Sequence, residues 1–347
     1  MDGAQSQRSE WLVIDTMTPE TGLVFSGGRP RSGASLDRRD QYRSKSVTAA
    51  LRAMVREVCQ SRCGMSADLT PSVTAHAHPV VGPPTDPDVY AVALWMGPAN
   101  TSPPRPRTIG TMVYEPGMRT MGHSVVTERD ILDAEEIQTE RIPHEVFSRF
   151  QRYPNEDKLG PWASHAMLGK YSAEHPDALF QDEIELEQQV SRELIRVHLS
   201  MRPVEVEGSW VIRGLIHDIS DVRPPSGREG YDLRTARTVV DFLYSDFPWG
   251  IGRLDFATGV LTEWFKEPPG PLARWSRENA IWDPVDLNEV ELLTAAMASG
   301  EREEVGFESR VRFPSEADDT WYPVRIVIRA STPGGAGNGL FRVVPLT

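Results

Sequence analysis

Apolar positions fall into two recurring patterns. Val47, Leu51, Met54, Val55 and Val58 sit on one helix face, so a helix is expected there. Val324, Ile326 and Ile328 alternate with Arg325 and Val327, the period of a half-buried strand. Strands are also expected around Val73–Val81 and Val89–Met96, and a hairpin across Trp11–Phe25 with Gly22 at its turn. Residues 26–46, rich in Arg, Ser and Gly, predict a loop. Asp283-Pro284 reads as a helix start, followed by Leu287, Val290, Leu293 and Met297 at helical spacing and Gly300 as a C-terminal cap. Residues 142–168 predict short helices interrupted at Pro143, Pro154 and Pro161. Leu233, Ala236, Val240 and Leu243 predict a linker helix over 232–245.

Two stretches look alike. IGTMVYEPGMRTM opens at Ile109-Gly110 and IGRLDFATGVLTE at Ile251-Gly252, with Gly117 and Gly259 at matching turn positions. Downstream, RVHLSMRPVEVEGSWVIRGLI and RVRFPSEADDTWYPVRIVI each carry an Arg-Val strand, a polar turn and a Trp leading an apolar strand, which sets Trp210 and Trp321 at equivalent places. Each copy is therefore expected to be a hairpin, a helical middle and a closing antiparallel meander. Pro-rich ANTSPPRPR (99–107) and RPPSGREG (223–230) mark the connectors.

This pattern resembles the PAS domain. WGIGRLDFATGVLTEWF resembles its opening hairpin, DPVDLNEVELLTAAMASGE its helix before the third strand, and TWYPVRIVIRAS the strand after it; GSWVIRGLIHDISDVR resembles a closing PAS strand. The N-terminal hundred residues are more similar to a GAF-type sensor. As a whole the chain resembles a small group of mycobacterial and actinobacterial proteins with three sensor domains in a row. The resemblance implies an α+β fold of three sensor-type domains, each a central antiparallel sheet flanked by helices: a GAF/PAS-like domain over 1–104, a PAS-like domain over 105–222, and a linker helix with a C-terminal PAS-like domain over 223–347. It also implies sensing, often of a small molecule held between sheet and helices. No GGDEF-type or EAL-type segment and no kinase ATP lid follows, so output is expected to run through a partner protein.

Composition narrows the function. Lys plus Arg is 37 against 50 Asp plus Glu, a formal charge of −13, which argues against non-specific nucleic-acid binding while leaving room for a local basic patch. No apolar run reaches a membrane span, the N-terminus lacks a signal pattern, and two cysteines in 347 residues fit a reducing cytoplasm.

Chemistry-bearing residues are sparse. His76 and His78 share one strand face but have no third ligand nearby in sequence. Cys59 and Cys63, four apart at a helix end, are too few for structural zinc. Without a cysteine after residue 63, a flavin–thiol adduct is excluded from the later domains. No histidine follows His217, so haem ligation by His is not expected in the C-terminal domain; it stays open in the middle domain, which holds His123, His144, His165, His175, His198 and His217. GGAGNG, with Gly334, Gly335, Gly337 and Gly339, lacks a following helix and a Lys-Ser/Thr, so it reads as a hairpin tip. The acidic stretches 127–140 and 181–193 read as solvated helix surfaces. No nucleophile, metalloprotease or Walker motif occurs. Aromatic density is the one positive signal: Phe256, Trp264, Trp275 and Trp282 are candidates for a pocket or an interface.

The expected function is thus a non-catalytic cytoplasmic sensor or signalling scaffold with a protein partner. No cofactor is assigned, a small-molecule ligand of unknown identity stays open, nucleic acid and membrane are not expected as partners, and the oligomeric state is not fixed. A ligand-independent structural adaptor is the alternative, and an enzyme of unrecognised type a remoter one.

Overall fold

The computed structural model describes residues 11–19, 21–34, 45–115, 120–147, 149–152, 156–167, 169, 178–226, 248–255, 260–286, 292–293, 296–297, 301–317, 319–330 and 338–346. The linker-helix prediction over 232–245 lies outside them. Contacts divide the chain into two units. The first holds 1–114, 122–139 and 169–227; the second holds 115–121, 140–168 and 228–347.

In the first unit, strands β1 (Leu12–Asp15), β2 (Gly22–Ser26) and β3 (Arg29–Ala34) are followed by helix α1 (Lys45–Ser61), then β4 (Met65–Thr70), β5 (Val73–Val81) and β6 (Val89–Pro98). They form one sheet in the order β3-β2-β1-β6-β5-β4. The first hairpin, α1 and strands β5 and β6 fall where the apolar pattern places them. Residues 29–34 do not remain a loop: Gly27 and Gly28 take positive φ and turn the chain back, so β3 adds to β2. Leu51, Met54, Val55 and Val58 of α1 bury against Leu12, Ile14, Leu23, Ala77 and Leu94. Each such side chain contributes about 1.5–3 kcal/mol on burial.

The same unit holds most of a second sheet. Its strands β7 (Ile109–Glu115), β8 (Thr120–His123), β11 (Phe180–Glu187), β12 (Leu194–Val206) and β13 (Ser209–Asp218) run in the order β8-β7-β13-β12-β11. The short β9 (Glu140–Arg141), α2 (Pro143–Phe147), β10 (Phe150–Arg152) and α3 (Glu156–Met167) belong to the 140–168 segment, which groups with the second unit. Leu215 and Ile219 pack with Val13, Val24, Phe25, Tyr90 and Ala91. The first sheet is thus covered on both faces, which is why β1 and β6 read as continuous apolar runs.

The second unit carries a third sheet from β14 (Gly250–Asp255), β15 (Val260–Lys266), β16 (Ile281–Trp282), β17 (Glu304–Arg312), β18 (Tyr322–Ala330) and β19 (Asn338–Pro345). Its order is β15-β14-β19-β18-β17-β16. One face packs a core of Leu254, Trp264, Val311, Val324, Ile326, Ile328 and Phe341. Strands β17 and β18 alternate buried and exposed, as half-buried strands must.

The three sheets share one topology. In each, the opening hairpin joins the last strand, and the two preceding strands follow: β2-β1-β6-β5-β4, β8-β7-β13-β12-β11 and β15-β14-β19-β18-β17. The matched Ile-Gly pairs sit on corresponding strands, and both glycines have steric reasons. A Cβ on Gly110 would lie 2.3 Å from Thr127 Oγ1; one on Gly252 would lie 2.6 Å from the Glu263 carbonyl. The downstream match slips by one strand. Trp210 is the second residue of β13, the last strand of its sheet, whereas Trp321 precedes β18, the next to last. An Arg-Val strand, a polar turn and a Trp describe any antiparallel hairpin, so this motif does not fix which hairpin it is.

The architecture is α+β in the loose sense of three antiparallel sheets with few helices. It is more sheet-dominated than sheets flanked by helices, and α1 is the longest helix among the described residues. The acidic segment 181–193 is likewise not a helix: Phe180, Asp182, Ile184 and Leu186 alternate along β11, with Asp182 and Glu185 buried. In the other acidic segment Glu128 is fully buried in a π-helical turn, Thr127–Ile131.

Candidate functional site

In the second unit the predicted tryptophans come together. Trp264 on β15, Trp275 in a 3₁₀ turn (Gly270–Ser276) and Trp282 on β16 meet edge to face, with ring centroids 6.0 Å apart for Trp264–Trp275 and 5.7 Å for Trp275–Trp282. Phe341 stands 5.4 Å from Trp275 and Phe313 6.4 Å. Trp264 Nε1–H donates to the Trp275 carbonyl at 3.3 Å. Such rings attract through their quadrupoles in this arrangement. Trp264 and Trp275 are buried core residues and Trp282 packs against them; Phe256 lies outside the described residues. Helix α2 packs on β15, and its His144 makes a 2.5 Å hydrogen bond through Nε2 to the Ser276 carbonyl. Burial pushes that imidazole below its ordinary range. The cluster is a buried, edge-to-face aromatic core.

The first unit has a different interior. His198 and His217 lie directly opposite on β12 and β13, both buried. Both face Phe25 of β2, at ring centroids 5.6 and 4.5 Å. His198 Nε2, His217 Nδ1 and the neighbouring Ser200 Oγ have no hydrogen-bond partner. Burial, reinforced by Arg223, lowers His198 to about 4. Burial, with His198 and Arg107 adding to it, holds His217 well below its ordinary range. Both imidazoles are therefore neutral near pH 7.

The same unit also holds buried and half-buried ion pairs. Asp15, fully buried, accepts from Met17 N–H at 2.9 Å and from Arg202 Nε. Arg213 forks onto Asp86 with two 2.7 Å bonds, reaches Asp88 at 2.9 Å and lies 5.0 Å over the Tyr90 ring. Tyr90 O–H donates to the same Asp86 at 2.7 Å. His123 Nδ1 meets Glu128 Oε1 at 2.7 Å with neither side chain exposed. The sequence offers no local sign of the Asp15–Arg202 and Asp86–Arg213 partnerships, because the partners lie 187 and 127 residues apart.

The remaining candidates scatter. His76 bonds Ser66 Oγ at 2.7 Å and leans on Trp95, while His78 meets Trp11. Cys59 is half-buried on α1, and Cys63 lies exposed beyond its end. Of the histidines considered for haem, His198 and His217 come together, His165 is exposed, and His175 lies outside the described residues. Among the described residues no group of three or more His, Cys, Asp or Glu could hold a metal ion. No helix among them is long and apolar enough to cross a membrane.

Residues 10–105 match the family described as "Rv3651-like, N-terminal". No curated protein matches the chain. Among solved structures, an uncharacterized protein from Mycobacterium tuberculosis is similar over 98% of this chain and 97% of its own, with TM-score 0.70 and 17% identity, so the fold is shared across the chain. A sensory box histidine kinase/response regulator from Burkholderia thailandensis E264 covers 39% of this chain and 92% of its own at 16% identity and TM-score 0.25. An RNA-binding light-oxygen-voltage receptor covers 69% and 95% at 10% identity and TM-score 0.24.

Proposed function

We propose that this chain is a non-catalytic, cytoplasmic signalling protein of the actinobacterial type. It carries three sensor-like modules, GAF- or PAS-like in the first and PAS-like in the second and third. It acts by binding a partner protein and is gated by a small ligand. The observation that carries this reading is the triple recurrence of one strand order around an opening hairpin and a closing meander. Gating requires the ligand to favour one arrangement of the modules over another, since equal affinity shifts nothing.

A ligand-independent adaptor is the second reading. The closed edge-to-face packing of Trp264, Trp275 and Phe341 favours it, because a core filled by its own side chains leaves a ligand little to bind. Native mass spectrometry of the full chain, purified from a bacterial host at neutral pH, separates the two. The gated reading expects a small-molecule adduct that leaves on denaturation. A bare chain mass in every preparation, with partner binding intact, supports the adaptor. Substrate turnover by the purified chain overturns both.

A further inference from the structure

The outward face of the third sheet has a composition unlike that of the chain. Alternation on β17, β18 and β19 sends Glu304, Gly306, Glu308, Arg310 and Arg312 outward, then Pro323, Arg325, Val327 and Arg329, then Leu340, Arg342 and Val344. Five arginines thus share three strands with two glutamates, on a chain of net charge −13. Pairing aligns most of them. Arg310 sits opposite Pro323, Arg325 opposite Glu308 and Val344, and Arg342 opposite Val327. Arg310, Arg325 and Arg342 are therefore diagonal neighbours, about 7–8 Å apart at their backbones, in a band across the sheet.

Aromatic rings hold both ends of the band. Arg310 and Arg312 lie 5.8 and 5.7 Å over Trp321, and Arg342 lies 4.5 Å over Trp249. Stacking orients a guanidinium while leaving its edge for a carboxylate. Arg329 meets Glu304 at 3.5 Å and Arg310 meets Asp283, so these members are partly neutralised. Arg325, in the middle, is exposed. Leu340, 46% exposed, and the half-exposed Val327 and Val344 set apolar contacts beside the charges.

We propose that this face docks an acidic, amphipathic protein segment, whose carboxylates meet the arginine band and whose apolar side chains cover Val327, Leu340 and Val344. Charge complementarity selects the partner, since arginine presents paired donors that match a carboxylate. The interleaved Glu304 and Glu308 and the acidity of the chain oppose a continuous phosphate backbone. The proposal names a partner for the signalling function and rests on that reading.

The test uses the full chain and a fluorescein-labelled helical peptide of Glu and Leu, with the Gln-for-Glu peptide and a single-stranded oligonucleotide as comparison probes. The Glu peptide is expected to bind, to weaken with added NaCl, and to weaken roughly tenfold in Arg325→Glu. Arg325→Gln/Arg329→Gln keeps the sheet free of like-charge pairs and is expected to weaken binding several-fold, with unfolding by urea unchanged. Equal binding of the Gln peptide, indifference to both variants, no binding at all, or preference for the oligonucleotide would each overturn the proposal. Any of these leaves ligand gating standing, because native mass spectrometry reads it separately.

Discussion

The first and third sheets share a strand order but not a setting. The first is covered on both faces, by α1 on one side and by Leu215 and Ile219 on the other, so β6 has no polar stripe. The third buries one face, and β18 alternates Val324, Ile326 and Ile328 with Arg325 and Arg329. Interiors differ as well. The first unit encloses paired histidines and the Asp15–Arg202 pair; the second has a core of edge-to-face aromatic rings. One topology therefore tolerates a polar, pH-sensitive filling and an aromatic one. What remains common is the strand order of hairpin and meander.

The comparison breaks hardest at the aromatic core. Trp275→Ala removes the ring that touches Trp264, Trp282, Phe313 and Phe341, and is expected to destabilise the second unit by about 4 kcal/mol. Urea unfolding, read by hydrogen exchange in β17–β19, measures it, with the first unit unchanged.

Next comes Asp15→Ala, which leaves the Arg202 guanidinium in the first unit without its counter-charge. A loss of about 3 kcal/mol is expected there, because an uncompensated buried cation costs more than the pair contributed. Asp15→Ala/Arg202→Met is expected to recover much of it in the same urea experiment.

Acid sharpens the contrast further. His198 is held near 4 and His217 well below its ordinary range in the folded chain, so the unfolded chain binds more protons once pH drops below about 6.5. Their contribution to stability is complete above that pH and is lost as pH falls toward 4. His198 alone accounts for about 2 kcal/mol by pH 5. Asp15, pushed upward by burial, titrates in the opposite sense, so the difference between the parent and His198→Gln isolates the imidazole. The variant is expected to show a shallower dependence of urea midpoint on pH between 7 and 5. At the small end, Cys63→Ser, at an exposed position past α1, is expected to change stability by less than about 0.5 kcal/mol.

Much of the fold was legible because it is local. The stripe on α1 and the alternation on β18 need only neighbours in sequence, while the turn glycines Gly117 and Gly259 lie outside the described residues. β3 was not legible: RPRSGA carries no apolar alternation and becomes a strand because β2 offers it an edge. The slip between Trp210 and Trp321 has the same root, since hairpins resemble one another locally and only pairing tells them apart. Trp264, Trp275 and Trp282 were visible as a concentration of indoles, although their mutual packing was not. His198 and His217 looked like two members of a scattered set; their burial depends on Phe25, far away in the chain.

Residue-resolved hydrogen exchange at pH 7 and pH 5, corrected for intrinsic rates, tests the difference in filling most directly. The second unit has one buried histidine in the described residues, His144, against the paired His198 and His217 of the first. Opening free energies in β12 and β13 are predicted to fall by about 2 kcal/mol or more on acidification, and those in β17–β19 to fall by clearly less. An equal fall in both units, or a larger one in β17–β19, would contradict the account.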